Sequence, residues 1–316
     1  MASDLDFIKK HTIVVADTGD FQSIKGLGVR DSTTNPSLIL QAVQKPEYKH
    51  LLQQAVDMAE NKDDSSEIVD CLLVVFASEI TKLLPAEGRV SVEVDARLSF
   101  DTEATIAKAR SIIARLEAHG IPRSKILIKI ASTWEGLQAG IALEKEGIHC
   151  NLTLLFSIAQ AAVAGHGGVT LVSPFVGRIL DYYKSVAPDA DYSGASDPGV
   201  QSVTAIFNYF KKNSIQTQIM GASFRSVSEI KELVGCDLLT IAPKLLEELA
   251  GSDSGLTVKL DAAKAKQADV PSIKVDEKSF RWMMNEDAMA TNKLAEGIRK
   301  FTVDILKLES MIKSMK

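Results

Sequence analysis

The chain has 316 residues, of which 46% are hydrophobic and 24% charged, with a formal net charge of -5. That balance describes a globular protein with a sizeable core, built as one large α/β barrel or two smaller domains, and it excludes a general attraction for nucleic acid or anionic membrane. The longest apolar runs, such as Cys71-Leu72-Leu73-Val74-Val75-Phe76-Ala77, fall far short of the roughly 20 residues of a membrane span, and Met1-Ala2-Ser3-Asp4-Leu5-Asp6 lacks the basic start and apolar core of a signal peptide, so a cytoplasmic protein is expected.

Along the chain, strands are predicted at about 13–17, 30–34, 90–95, 125–130, 148–154, 169–173, 216–221 and 237–241. Helical segments separate them, for example 102–118, where Ile106, Ala109, Ile113 and Leu116 recur at helical spacing. Helix starts follow strands closely. Asn35-Pro36 supplies an N-cap and an N1 proline, and Ser132-Thr133-Trp134-Glu135 and Ser226-Val227-Ser228-Glu229 each fit a capping box. Eight strands alternating with helices predict an α/β fold, a parallel (β/α)8 barrel forming one domain over 1–316. The stretch 251–279 is polar and weakly periodic and reads as an excursion. Leu294, Ile298, Phe301, Ile305, Leu308 and Ile312 then mark a long amphipathic C-terminal helix at about 290–314.

The most informative residue is Lys129, set in the apolar run Ile126-Leu127-Ile128-Lys129-Ile130-Ala131. Burying an ammonium is costly, so this lysine either pairs with a carboxylate or gives up its proton and becomes an amine nucleophile. Strand alternation places Leu127 and Lys129 on the inward face, and in the preceding strand puts Ser91, Glu93 and Asp95 inward. A carboxylate therefore neighbours the amine. The same parity turns inward Asp17 with Val15, Asn35 with Thr33, Asn151 with Thr153, and Ser173 with Leu171 and Val169. Each alone has an ordinary explanation as a cap, a turn or a satisfied hydroxyl. Together they gather at the C-terminal ends of the strands, where barrels of this type keep their catalytic groups.

Two arginines extend the pattern: Arg178 after Ser173-Pro174-Phe175-Val176-Gly177, and Arg225 after Gly221-Ala222-Ser223-Phe224. Guanidinium groups beside helix N-terminal amides make a site for phosphate. Other chemistries lack their motifs: no HExxH, CxxC, GxSxG or phosphate loop occurs, and Gly26-Leu27-Gly28 lacks the third glycine of a dinucleotide fingerprint. Cys71, Cys150 and Cys236 are scattered among apolar residues and are expected as buried thiols.

These blocks resemble the class I transaldolases of the bacterial long form. The resemblance runs through Val15-Ala16-Asp17-Thr18-Gly19-Asp20, Thr33-Thr34-Asn35-Pro36-Ser37-Leu38, Glu93-Val94-Asp95-Ala96-Arg97-Leu98-Ser99, Leu127-Ile128-Lys129-Ile130-Ala131-Ser132-Thr133-Trp134, Asn151-Leu152-Thr153-Leu154-Leu155-Phe156-Ser157, Ser173-Pro174-Phe175-Val176-Gly177-Arg178 and Met220-Gly221-Ala222-Ser223-Phe224-Arg225. It implies Schiff-base transfer of a dihydroxyacetone unit between sugar phosphates in the pentose phosphate pathway, without metal or organic cofactor, and a homodimer. It assigns Lys129 as nucleophile, Asp17 as acid/base at the substrate C4 hydroxyl, and Glu93 as acid/base through a water held with Thr153. Asn35, Asn151 and Ser173 would hold the dihydroxyacetone hydroxyls. Arg178 and Arg225 would bind phosphate, with Ser223 beside them and Phe175 shaping the pocket. The departures, Ser32, Ile158 and Thr170, fall outside these positions. The nearest alternative is a fructose 6-phosphate aldolase-type lyase, in which a tyrosine stands where this chain has Glu93.

Overall fold

The computed structural model describes residues 3–315. Eight strands occur, β1 Ile13–Asp17, β2 Asp31–Thr33, β3 Val90–Glu93, β4 Ile126–Ala131, β5 Cys150–Leu155, β6 Leu171–Pro174, β7 Gln218–Gly221 and β8 Leu238–Ile241. They pair in parallel in sequence order, and β8 returns to β1, so the sheet closes as the predicted (β/α)8 barrel. Closure leaves no unpaired sheet edge and separates two apolar populations. Ile13, Val15, Leu127, Leu171, Met220 and Leu238 fill the barrel interior. Val14, Val92, Ile126, Ile128, Ile130, Leu152, Val172 and Leu239 point outward into the helix layer.

Several strands begin later than their apolar runs suggest. Glu144 explains two of these starts, because its carboxylate accepts from the backbone N–H of Cys150 at 2.9 Å and of Thr170 at 2.6 Å. A side chain thus takes donors that a longer ladder would have used. Val169, inward by simple parity, lies before β6 and packs in the outer core. The predicted 90–95 strand ends at Glu93, since Asp95 caps a short 3-10 turn by accepting from the Arg97 N–H and pairs with the Arg97 guanidinium at 2.6 Å. Asp95 is therefore not an inward-facing strand residue.

Between β2 and β3 the chain makes three helices, Pro36–Val43, Lys49–Met58 and Ser65–Leu83. The apolar run 71–77 lies in the last and is buried throughout. Among the described residues no helix is long and apolar enough to cross a membrane, and all three cysteines are free and buried. The 251–279 stretch contains one short helix, Ala262–Ala265, before the helix Glu277–Glu286 begins. The C-terminal helix spans Ala288–Ser314, capped by Asp287, which accepts from the Ala290 N–H at 2.9 Å. It buries Ile298, Phe301, Ile305, Leu308 and Ile312 against the helices Pro36–Val43, Ser65–Leu83 and Gly177–Val186 and against β5. Arg97 bonded to Glu309 at 2.6 Å and Ser37 bonded to Asp304 pin it across the C-terminal rim of the barrel.

Candidate active site

Register brings the central pair together. Glu93 on β3 lies opposite Lys129 on β4, and Lys129 lies opposite Asn151 on β5. All three are buried. The Lys129 Nζ stands 3.2 Å from Glu93 Oε2 and donates to the Thr34 carbonyl at 3.1 Å. The contact with Glu93 is an ion pair, and Oε2 is a buried acceptor with no hydrogen-bond donor of good geometry among the described residues. Burial raises the Glu93 carboxyl above the ordinary carboxylate range, and the Lys129 charge only partly offsets this.

Asp17 ends β1 and accepts from Thr33 Oγ1 at 2.9 Å, while Thr33 and Thr240 share a hydroxyl hydrogen bond of 2.6 Å. Burial raises its carboxyl as well, against the attraction of Lys129, the Thr33 hydrogen bond and Arg178. On the other side of the lysine, Ser173 Oγ donates to Asn151 Oδ1 at 2.6 Å, and Asn151 Nδ2 donates to Ser91 Oγ at 3.0 Å. Thr153 lies one inward position further along β5, opposite Ala131 of β4. Its fully buried Oγ1 has no protein partner. Asn35 caps the helix Pro36–Val43, with Oδ1 accepting from the Leu38 N–H at 2.9 Å.

The arginines converge at the rim. Arg178 is largely buried in the first turn of the helix Gly177–Val186, with its guanidinium 4.8 Å from the Phe175 ring centroid and 5.5 Å from that of Phe301. No carboxylate pairs with it among the described residues. Burial and the nearby Arg225 charge lower its pKa, as expected for two cations facing one space. Arg225 is more exposed and bidentate to Asp181, at 3.1 and 2.6 Å, with Nη1 reaching Ser223 Oγ at 3.5 Å. Ser223 holds a left-handed φ of 61°, and its carbonyl accepts from the Gly177 N–H at 2.8 Å. The approach requires glycine at 177, since a Cβ there would stand 2.5 Å from the Ser223 oxygen.

The expected site residues thus meet at one end of the barrel, and the structure adds partners that no sequence pattern marked. Thr33 and Ser91 had the right parity but no charge to draw attention, and Thr240 the same on β8. Thr34 enters through its carbonyl, which no side-chain pattern reports. The expected capping box at 132–135 does not form: Thr133 is the cap, accepting from the Gly136 N–H at 3.0 Å, while Ser132 Oγ donates to the Thr153 carbonyl at 2.7 Å and Glu135 pairs with Arg281 at 2.6 Å. The box at 226–229 does form, with the Ser226 N–H donating to Glu229 Oε2 at 3.3 Å.

A closed parallel barrel with a buried lysine, two carboxylates of raised pKa and, among the described residues, an arginine without a carboxylate at its C-terminal mouth defines a (β/α)8 protein with a candidate active site there. The chain belongs to the transaldolase/fructose-6-phosphate aldolase family, whose model matches residues 14–312. It is 53% identical over 318 residues to a probable transaldolase of Drosophila melanogaster, covering 99% of this chain and 96% of that protein. The family, and not its bacterial subgroup, is the level at which the chain is placed. Among solved structures, an IMP dehydrogenase/GMP reductase-like protein from Corynebacterium glutamicum aligns over 76% of this chain and 66% of its own, at 12% identity and a TM-score of 0.41.

Proposed function

We propose that this chain is a transaldolase, transferring a dihydroxyacetone unit from sedoheptulose 7-phosphate to glyceraldehyde 3-phosphate and giving erythrose 4-phosphate and fructose 6-phosphate. The observation that carries the reading is the buried Lys129 Nζ at 3.2 Å from Glu93 Oε2, in a chain of this family. Attack on the donor ketone requires a neutral amine. Glu93, made more basic by burial, stands where it can take the proton.

In this mechanism the Lys129 nitrogen adds to the C2 carbonyl, and the carbinolamine loses its hydroxyl as water, with Glu93 supplying the proton. A water molecule bridging Glu93 Oε2 and Thr153 Oγ1, both buried and without a hydrogen-bond partner among the described residues, would relay it. The resulting iminium is the electron sink, so the chemistry needs no metal or organic cofactor. Asp17 takes the proton of the C4 hydroxyl as the C3–C4 bond breaks and the aldehyde departs, then returns it when the acceptor aldehyde adds. Asn35, Asn151 and Ser173 hold the hydroxyls of the retained unit. Arg178, set over Phe175, and Arg225 with Ser223 bind the substrate phosphate.

Glu93 favours transfer over the aldolase-type reading, in which a tyrosine takes this place. The deciding experiment incubates the protein with fructose 6-phosphate with and without erythrose 4-phosphate, and adds borohydride to a parallel sample. Turnover that depends on the acceptor, together with a reduced adduct on Lys129, is expected. Steady release of dihydroxyacetone without acceptor would move the assignment to a lyase. Residues 1–316 acting as one barrel domain, a cytoplasmic location and a homodimer complete the proposal. The exposed Trp282, Val303 and Leu306 support the homodimer, and the mass in solution tests it.

A further inference from the structure

The segment that carries Thr153 is held by a residue with no part in the reaction set out above. β5 does not run regularly to its end. Leu152 pairs with Val172 and Leu155 with Pro174, so the strand takes one residue more than β6 over the same span. The irregularity falls at Thr153 and Leu154, and Leu154 sits at a φ of 51°, in the left-handed region that a leucine rarely enters. A bulge re-aims a neighbouring side chain, and here that side chain is Thr153, whose buried Oγ1 has no protein partner.

A backbone in such a conformation persists only where its surroundings over-determine it. Gln160, fully buried, supplies much of that constraint. Its Nε2 donates to the carbonyls of Leu154 at 3.1 Å and Ser132 at 2.9 Å, and its Oε1 accepts from the N–H groups of Phe156 at 2.7 Å and Ser157 at 3.0 Å. Two donors and two acceptor positions are the full capacity of a carboxamide. Only the bond from Ser157 belongs to ordinary capping of the helix Ile158–His166. The bonds to Leu154 and Phe156 hold the end of β5 at the bulge, and the bond to Ser132 reaches the residue that follows β4. From the opposite side the Ser132 N–H and Oγ both donate to the Thr153 carbonyl, at 2.8 and 2.7 Å. The Leu154 side chain meets Gly297 of the C-terminal helix, where a Cβ would come within 2.5 Å of Leu154 Cδ2.

We propose that Gln160 is a positioning residue: by fixing the Leu154 bulge it aims the Thr153 hydroxyl toward the Lys129 and Glu93 pair, and so sets the rate of the steps that lose or add water. It touches neither substrate nor the reacting atoms. The proposal rests on the reading of Thr153 given above.

Gln160→Met keeps the side chain's length and removes both ends of its amide. The test measures how fast a borohydride-trappable adduct forms from fructose 6-phosphate, and the KM for erythrose 4-phosphate, in the parent, Gln160→Met, Thr153→Ala and the double variant. Gln160→Met should slow adduct formation about tenfold and leave the acceptor KM within about twofold. The double variant should be no slower than Thr153→Ala alone, because both changes remove one alignment. Parental adduct formation in Gln160→Met beside a slow Thr153→Ala overturns the proposal, as do effects that multiply. A Thr153→Ala variant at the parental rate removes the reading of Thr153, and the proposal falls with it. Should Gln160→Met lack the parent's circular dichroism and melting transition, Ser132→Ala decides, since it deletes one hydrogen bond to the same bulge. Slowing of about threefold or more supports the proposal, and a parental rate overturns it.

Discussion

The two ends of the barrel both bury charge, but they treat it differently. At the N-terminal end the Asp31 carboxylate accepts five hydrogen bonds, two from the Arg30 side chain and three from the backbone and side chain of Arg89, which also reaches Gln218. At the C-terminal end, among the described residues, Glu93 keeps an oxygen without a donor, Thr153 keeps a free hydroxyl, and Arg178 has no carboxylate. Desolvation costs are of the same kind at both ends. Where the chain supplies every partner, a buried charge ties strands together. Where partners are withheld, the group keeps capacity for a substrate, a water molecule or a proton.

The sharpest way to break this comparison is Lys129→Met. Turnover should fall on the order of 10⁴-fold or more, with no borohydride adduct. An active variant, or an active parent whose Lys129 stays unmodified, ends the mechanism. Glu93→Gln should slow Schiff-base formation by roughly 10²-fold while leaving the fold intact, and equal trapping rates in variant and parent would refute its role. At the other end, Asp31→Asn should cost about 3 kcal/mol in urea unfolding, because two guanidinium groups lose their counter-charge. Its kcat should match the parent's, and a large loss of kcat at unchanged stability would erase the distinction between the ends.

Within the mouth, Arg178→Ala should raise the KM for phosphorylated substrate roughly tenfold and Arg225→Ala by less, since Arg178 alone of the two lacks a carboxylate and Asp181 already holds Arg225. The reverse ranking would show that the half-exposed arginine is the main anion ligand. The smallest effect concerns pH. Glu93 and Asp17 have raised carboxyl pKa values, so the folded state holds protons that the unfolded chain releases. Their contribution to stability is therefore full below the unfolded carboxylate pKa of about 4 and declines as pH rises toward the folded values. Urea unfolding across that window should show a shallower decline in Glu93→Gln than in the parent, and identical slopes would remove Glu93 as the source.

Much of the site was legible because a strand has a period of two. Once Lys129 is set inward, Glu93, Asn151 and Thr153 follow from their own strands, and adjacency in chain order places their strands side by side. Parity failed where a strand stopped or bulged. Asp95 left the ladder for a turn with Arg97, and Val169 lay before its strand began, because Glu144 had taken the donors. Gln160 drew no notice in the sequence, because its three hydrogen bonds to Ser132, Leu154 and Phe156 at the ends of β4 and β5 leave no pattern along the chain. Those depend on a backbone conformation at Leu154 that a leucine does not announce.

By itself, then, the sequence determined the number and order of the strands, the inward row that holds Lys129, and the rim that carries the polar residues. These follow from local periodicity, which neighbouring residues set. The tertiary structure alone decided the 3.2 Å separation of Lys129 Nζ from Glu93 Oε2, the coupling of Asp17 to Thr240 through Thr33, the seating of Arg178 against Phe175 and Phe301, and the clamp on Leu154. Each includes a partner far along the chain: Glu93 for Lys129, Thr240 for Thr33, Phe301 for Arg178 and Ser132 for Gln160. Barrel closure and the return of the C-terminal helix fix their distances, and no period along the sequence encodes them.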